Sequence, residues 1–173
     1  IGRMMELVKE LGLEEQTIFV FTSDNGPLTG NHQGLAGTDG AFFNSNGGLR
    51  NGKGSLYEGG VRVPGIVRWK GRIAPGTTSE RVTGFEDWMP TLLELAGAPR
   101  PPSVDGRSLV PVLRDTAAVV RDWLHYEHAP TYGAAQAFHA LTDGRRKFIW
   151  RPLDGREQLF DLESDPREER DLA

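Results

Sequence analysis

Apolar side chains recur at helical spacing near the start of the chain. Four of them lie three or four residues apart: Met4, Leu7, Val8 and Leu11. This spacing places the four side chains on one face of a helix, and Gly12 follows the last of them, where helices commonly end. The pattern therefore predicts an amphipathic helix over residues 3–11.

An unbroken apolar run over residues 18–21 follows this helix and forms most of a predicted strand over residues 17–21. A strand without polar alternation is typical of a parallel sheet that is covered on both faces. Residues 61–69 predict one more strand of this kind. Because parallel strands are joined by long crossover connections, we expect the rest of the sheet to lie upstream of this chain.

The pattern changes to that of a smaller unit after residue 84. Asp87 can cap a helix over residues 87–95. Four later segments predict strands, over residues 123–127, 136–142, 147–151 and 158–162. Aspartate-glycine pairs at 143–144 and 154–155 supply hairpin turns between the last three strands. We therefore expect an antiparallel sheet with helices on one face.

Composition narrows the class of protein only slightly. The 173 residues allow one domain or slightly more, and the change of pattern divides them into residues 1–83 and 84–173. The 20 basic and 24 acidic residues nearly cancel, so charge indicates neither a nucleic-acid nor a membrane partner. No apolar run approaches the length of a membrane span. The absence of cysteine excludes disulfides and thiolate metal sites but leaves the cellular compartment open.

Candidate chemistry begins just after the first predicted strand, where Asp24 and Asn25 are followed by Gly26. Carboxylate and amide oxygens are hard ligands for Ca²⁺ or Mg²⁺, and the C-terminal edge of a buried strand is where open α/β folds place their sites. The same three residue types also favour turns and tolerate positive φ. Taken alone, the run therefore favours an ordinary turn.

A glycine-rich segment over residues 47–64 carries the second candidate, Lys53, between Gly52 and Gly54. Glycines let backbone and ligand approach closely, and an unhindered ammonium can reach an anion, although a solvated surface lysine fits the same pattern. The stretch over residues 26–57 has little periodicity. Connections of this length are usually functional or disordered, so we expect it to form one wall of a site.

Several motifs, in their order along the chain, resemble the sulfatases of the alkaline-phosphatase-like superfamily. They are DNG at 24–26, Lys53, YEGGVRVP at 57–64, DWMPTLLELAG at 87–97, DGRSL at 105–109 and QLFDLESDP at 158–166. Together they cover nearly the whole chain. The resemblance implies an α/β fold in which residues 1–83 end the parallel sheet of the catalytic domain. Residues 84–173 would then be the C-terminal subdomain, an antiparallel sheet with packed helices.

The resemblance also implies roles for three residues. Asp24 and Asn25 match the second half of the family's metal site, which holds one divalent cation, Ca²⁺ or Mg²⁺, with further acidic ligands from far upstream. Lys53 matches the lysine that contacts the sulfate group, and it is therefore the candidate catalytic and substrate-binding residue in this chain.

The family's nucleophile is missing from this sequence. It is a formylglycine made from the first residue of a Cys/Ser-x-Pro-x-Arg motif, and the nearest imitation, SDPRE at 164–168, has its arginine one place early. We expect the nucleophile to come from an N-terminal catalytic region upstream. The chain by itself is accordingly expected to be inactive.

Other polar residues admit simpler interpretations. Glu58 and Arg62 are expected to form an ion pair or a backbone anchor near the site. His125 and His128 lie three apart on a predicted strand and so face opposite ways, which opposes a shared metal ion. His128 is retained as a candidate substrate contact, and His139 is interpreted as a packing residue.

Three functions remain open at this stage. The leading hypothesis is the C-terminal portion of a sulfatase that acts on a sulfate ester. Phosphatases of the same superfamily that use two zinc ions carry histidine where Asn25 stands, so a phosphate or phosphonate hydrolase is the second. The third is a noncatalytic binding module. We also expect the isolated chain to self-associate through residues 1–22, or to leave that segment disordered, because the strand over 17–21 would be left with an unpaired apolar edge.

Overall fold

A computed structural model describes residues 1–28, 42–130 and 137–173 of the chain. Two compact units emerge, one formed by residues 1–22 and 64–122 and the other by residues 23–63 and 123–173. Neither unit is continuous in sequence, so they do not coincide with the predicted division into 1–83 and 84–173, which stays a prediction. Residues 29–41 of the predicted loop wall, which include His32, lie outside the described residues.

The first unit begins with the predicted helix, which is confirmed as α1, Gly2–Glu10. A short 3₁₀ helix, Glu14–Gln16, leads to strand β1, Phe19–Thr22. Strand β2, Gly65–Arg68, lies within the second segment predicted as a strand. The local patterns of spacing and apolar runs therefore locate these elements to within a few residues.

The predicted parallel relation between β1 and β2 is wrong. The two strands pair antiparallel, with a register that runs from Phe19 opposite Arg68 to Thr22 opposite Gly65. Val20 and Phe21 are also exposed in this structure. An apolar run favours burial of a strand, but it carries no information about the direction of the neighbouring strand.

Helices α3, Trp88–Leu95, and α4, Val110–Arg114, complete the first unit. Asp87 is the residue before α3, as predicted, but its carboxylate does not cap that helix. Instead it is buried and accepts hydrogen bonds from the Gly84 and Arg107 N–H groups, at 2.8 and 2.7 Å, and pairs with Arg121. The side chain therefore joins three separate segments rather than a single helix end.

The second unit contains the predicted antiparallel sheet, with strand order β3-β4-β5-β6. Its strands are Leu124–His128, Phe138–Thr142, Arg146–Arg151 and Arg156–Asp161. All four predicted strands are confirmed to within two residues, and the two aspartate-glycine pairs lie in the turns. Residue 136, the predicted start of β4, lies outside the described residues.

One face of this sheet carries the core of the second unit. Its buried apolar residues are Leu56, Ala140, Ile149, Phe160 and Leu162, with Tyr57, Val61, Tyr126 and Phe138 packed against them. The short helix α2, Glu58–Val61, contributes to this core through Val61. The glycine-rich segment is thus held on the sheet rather than extended into solvent.

An apolar surface on the first unit leads to a prediction about assembly. No residue of α1 is buried, and the exposed large apolar side chains include Ile1, Met4, Leu7, Leu11, Leu13, Val20, Phe21 and Ile66. Extended apolar surface favours association. We expect light scattering to give a mass above the 19.1 kDa of a monomer, and Leu7→Glu with Leu11→Glu to lower it. A monomer at all concentrations would refute this expectation.

No helix within residues 1–28, 42–130 and 137–173 combines the length and the apolar character that crossing a bilayer requires.

Candidate functional site

Asp24 and Asn25 lie directly after β1, at the start of the second unit. Ser23 Oγ donates to the Asn25 carbonyl oxygen, and Asn25 Nδ2 donates to the Gly26 carbonyl oxygen, both at 2.9 Å. Because the amide nitrogen of Asn25 is used on its own backbone, its Oδ1 is the atom available as a ligand. Asp24 is exposed, and within the described residues its carboxylate has no hydrogen bond or ion pair.

Gly26 anchors this segment to the glycine-rich loop. Its N–H donates to the Gly60 carbonyl oxygen at 2.9 Å, and a Cβ at this position would overlap the carbonyl oxygen of Gly59. Only glycine permits this approach. The chain is therefore built to bring the residue after Asn25 into direct contact with α2.

Lys53 is brought to the same place by a second backbone bond. Its N–H donates to the Pro27 carbonyl oxygen at 2.8 Å, two residues beyond Asn25, and its side chain is exposed. The structure therefore places the three residues that sequence analysis singled out, Asp24, Asn25 and Lys53, on two hydrogen-bonded segments. The segments carry two hard oxygen ligands and one exposed lysine, residue types suited to a divalent cation with an oxyanion.

A buried charge cluster, formed by Glu58, Lys147 and Glu168, holds helix α2 against the sheet. Lys147 Nζ donates to Glu58 Oε1 and Glu168 Oε1, both at 2.8 Å, and the Glu58 N–H donates to Glu168 Oε2 at 2.6 Å. Lys147 and Glu168 are fully buried. Arg62 also forms an ion pair with Glu58 at 3.5 Å, so the predicted pairing of these two residues is confirmed.

The buried positions of Lys147 and Glu168 were not among the features predicted from the sequence. The alternation of β5 could have indicated that Lys147 is buried. Lys147 lies two residues from Ile149, which is buried, and so faces the same side of the sheet. A lysine at an inward position requires a buried carboxylate partner. No comparable signal marks Glu168, which lies in a charged tail and has a positive φ of 55°.

The electrostatics of this cluster are governed by burial. Burial raises the pKa of Glu168, and the adjacent Lys147 ammonium opposes that rise. Burial, together with the charges of Glu58 and Glu168, also raises the pKa of the Tyr126 hydroxyl, so that this group stays protonated. The contacts of the cluster join α2 to strand β5 and to the C-terminal tail, so we interpret it as a structural support.

The histidines of the sheet lie apart from Asp24 and Lys53 in sequence. The ring of His128 lies beside that of Phe138, with 6.3 Å between centroids, whereas His125 contacts His139 at 3.2 Å. His125 and His128 both lie within β3, three apart, and so project from opposite faces of the strand; that they do not share a metal ion stays a prediction. Contact between His128 and a substrate stays a prediction.

Two family models match the chain. The family described as Sulfatase matches residues 1–98, and the one described as N-sulphoglucosamine sulphohydrolase, C-terminal, matches residues 51–173. An arylsulfatase of Clostridium perfringens is 34% identical over 171 residues, which cover 97% of this chain and 32% of that protein. Human arylsulfatase A is 42% identical over 127 residues, 73% of this chain and 23% of that protein.

Solved structures agree with these matches. BT4656 in complex with its substrate D-glucosamine-2-N,6-O-disulfate has a TM-score of 0.78 and 25% identity, over 99% of this chain and 33% of that one. The PsFucS1 sulfatase from Pseudoalteromonas sp. has a TM-score of 0.76 and 27% identity, over 99% of this chain and 36% of that one. The chain thus spans about a quarter to a third of the length of these four proteins.

Proposed function

This chain belongs to the sulfatase family, of which it matches the C-terminal portion, and we propose that the protein it forms part of hydrolyses sulfate esters with a formylglycine nucleophile and one divalent cation. The proposal fits the α/β fold that the chain shares with sulfatases of the alkaline-phosphatase-like superfamily. Within this portion, we assign Asp24 and Asn25 to the metal and Lys53 to the sulfate group.

The proposal rests on the backbone hydrogen bonds that join the segment after β1, residues 24–27, to the glycine-rich segment, residues 47–64. The Gly26–Gly60 and Lys53–Pro27 backbone bonds hold the candidate ligands and the lysine in one region, although 28 positions separate Asn25 from Lys53. Ordinary turn chemistry at residues 24–26 gives no reason for a lysine to be tied to the same place. The juxtaposition therefore favours a site over a turn.

Asp24, Asn25 and Lys53 would have different roles because their side chains carry different charges. A bound cation would stabilise negative charge on the sulfate oxygens. Asp24 supplies an anionic oxygen for that cation, and Asn25 supplies a neutral one. Lys53 offers its ammonium group to a sulfate oxygen, where charge-assisted hydrogen bonds are strong and orient the group. The bond-making step requires the nucleophile, which the Cys/Ser-x-Pro-x-Arg motif of a region outside this sequence would provide.

Ligand type favours sulfate over phosphate or phosphonate hydrolysis. The amide oxygen of Asn25 suits a single hard ion such as Ca²⁺ or Mg²⁺, whereas a pair of zinc ions would call for imidazole ligands. The relatives and family models described above are also sulfatases. The nearest alternative, a phosphoryl hydrolase, would require an upstream Thr or Asp nucleophile.

Activity assays test this function. We expect the 173-residue chain alone to hydrolyse no aryl sulfate, with or without Ca²⁺, because it lacks the nucleophile motif. In the complete protein, Lys53→Ala should lower kcat/KM for an aryl sulfate by about 10²–10³-fold, the usual cost of removing one group that stabilises developing charge.

Lys9→Ala is the matched control, because Lys9 is an exposed lysine on α1, far from the assigned residues in sequence. This variant should keep full activity. Turnover by the chain alone that disappears in Lys53→Ala would show that the nucleophile has been missed. Hydrolysis of phosphate monoesters but not of sulfate esters by the complete protein would favour the phosphoryl hydrolase instead.

A further inference from the structure

Two histidines and a glutamate converge on the face of the sheet opposite its apolar core. His125 and Glu127 are two apart on β3, and His139 on β4 lies directly opposite Glu127. Residues with this spacing and register share one face of an antiparallel pair. His125 and Glu127 are exposed and His139 is half-buried, so the group is open to solvent.

The distances within this group are short. His125 Nε2 lies 3.2 Å from His139 Nδ1, and His139 Nδ1 lies 3.4 Å from Glu127 Oε2. All three residues offer ligand atoms within 4.8 Å of one another. Zinc bonds of 2.0–2.1 Å in a tetrahedron place neighbouring ligand atoms about 3.3 Å apart. Two of the three separations therefore already match zinc coordination.

A hydrogen bond explains this arrangement less completely. His139 Nδ1 approaches both an imidazole nitrogen and a carboxylate oxygen. A neutral ring carries one N–H, so Nδ1 can serve both neighbours only through a shared, and therefore weaker, hydrogen bond. A cation placed between the three atoms accepts a lone pair from each of them at the same time.

We propose that His125, Glu127 and His139 bind a zinc ion, with the fourth coordination position open to water. Imidazole nitrogen favours zinc and other late first-row metals, whereas Ca²⁺ and Mg²⁺ take oxygen ligands. The site is therefore chemically distinct from the one assigned to Asp24 and Asn25, and it does not depend on the proposed sulfatase activity.

The bound ion would link the edge strand β3 to the neighbouring strand β4. Strand β3 is the first strand in the order β3-β4-β5-β6, and it supplies two of the three ligands, while β4 supplies the third. A metal that bridges the two strands stabilises their pairing, because it binds the folded arrangement and not the separated strands. Zinc should therefore slow hydrogen exchange of the β3 amides and raise the unfolding temperature.

Trp150 packs against one of the proposed ligands, and its fluorescence can report metal binding. Its ring stacks on that of His139, with centroids 5.5 Å apart and planes inclined by 25°. The stacking limits the orientations of His139 and leaves its Nδ1 directed at the other two ligands. A paramagnetic ion such as Co²⁺ bound here should quench the fluorescence of Trp150, and the Trp150→Phe variant should lose that part of the quenching.

Calorimetry with zinc chloride on the 173-residue chain tests the proposal. We expect one ion per chain, and we expect His125→Ala, Glu127→Gln or His139→Ala to weaken binding by more than about 100-fold, because loss of a direct ligand exceeds the 10–100-fold cost of losing an outer-shell partner. The absorption of bound Co²⁺ should show tetrahedral nitrogen and oxygen ligands.

His128→Ala is the matched control, since it removes a histidine from the same strand but not from this group. Its zinc affinity should equal that of the unaltered chain, and circular dichroism checks that every variant is folded. No zinc binding, or binding that persists in His125→Ala and Glu127→Gln, would overturn the proposal. Loss of zinc in Asp24→Ala with retention in His139→Ala would overturn it too, by assigning the ion to the other site.

Discussion

The Lys147→Met variant is expected to lose about 3–5 kcal/mol of folding free energy, the usual cost of removing one partner from a buried ion pair. Lys147 is fully buried between Glu58 and Glu168, at 2.8 Å from each carboxylate. Methionine keeps most of the volume but leaves two buried carboxylates without their cation. Urea unfolding of the chain, followed by circular dichroism, measures this loss.

The loss should depend on pH in a defined direction. Burial already raises the pKa of Glu168, and Lys147 limits that rise. Without Lys147 the pKa rises further above that of the unfolded chain, so the variant loses stability as pH increases through that interval. The deficit relative to the unaltered chain should therefore be larger at pH 7 than near the ordinary glutamate pKa of about 4.3, where protonation removes the unpaired negative charge of Glu168.

An exposed ion pair provides the control for this measurement. Arg145 and Glu163 pair at 2.7 Å, but their side chains are 71% and 61% exposed. Arg145→Met should change stability by less than about 1 kcal/mol, as is usual for surface pairs. Adding Glu58→Gln and Glu168→Gln to Lys147→Met should restore part of the loss. A Lys147→Met variant as stable as Arg145→Met would show that the cluster is not a support.

The second large effect is expected at Asp24. In the complete protein, Asp24→Ala should lower sulfate ester hydrolysis by at least about 10³-fold. The substitution removes the charged ligand of the proposed metal site, and metal stabilisation of reaction charge is worth several kcal/mol. The measurement is kcat/KM for an aryl sulfate after chelation and stepwise addition of Ca²⁺. Asp24→Asn keeps an oxygen ligand, so higher Ca²⁺ should partly restore its activity.

Two controls accompany the Asp24→Ala measurement: the unfolding temperature of that variant and the activity of a variant at another exposed aspartate. The side chain is exposed and makes no hydrogen bond or ion pair in the described ranges, so Asp24→Ala should unfold at the same temperature as the unaltered protein. Asp122→Ala, which removes another exposed aspartate, should keep full activity. Full activity in Asp24→Ala at limiting Ca²⁺ would disprove the assignment of this residue to the metal.

Local chemistry was sufficient to predict most elements of this protein. Helix α1 follows from apolar spacing, and the hairpins of the sheet follow from aspartate-glycine pairs between short strands, because periodicity and turn preference act within a few residues. Asp24 and Asn25 were singled out by their place after a strand, but the run alone favours a turn, and their assignment to a metal came from the family resemblance. Their association with Lys53 came from resemblance to a family rather than from the spacing itself.

Only the tertiary structure determined which distant residues meet. The antiparallel direction of β2, the enclosure of Lys147 by Glu58 and Glu168, and the convergence of His139 with Glu127 all depend on the path of the chain and on strand register. Lys147 lies 89 positions from Glu58, and Glu58 lies 110 from Glu168. Alternation along a strand shows which face a side chain occupies, but its partner on that face is chosen by long-range packing, which local sequence does not encode.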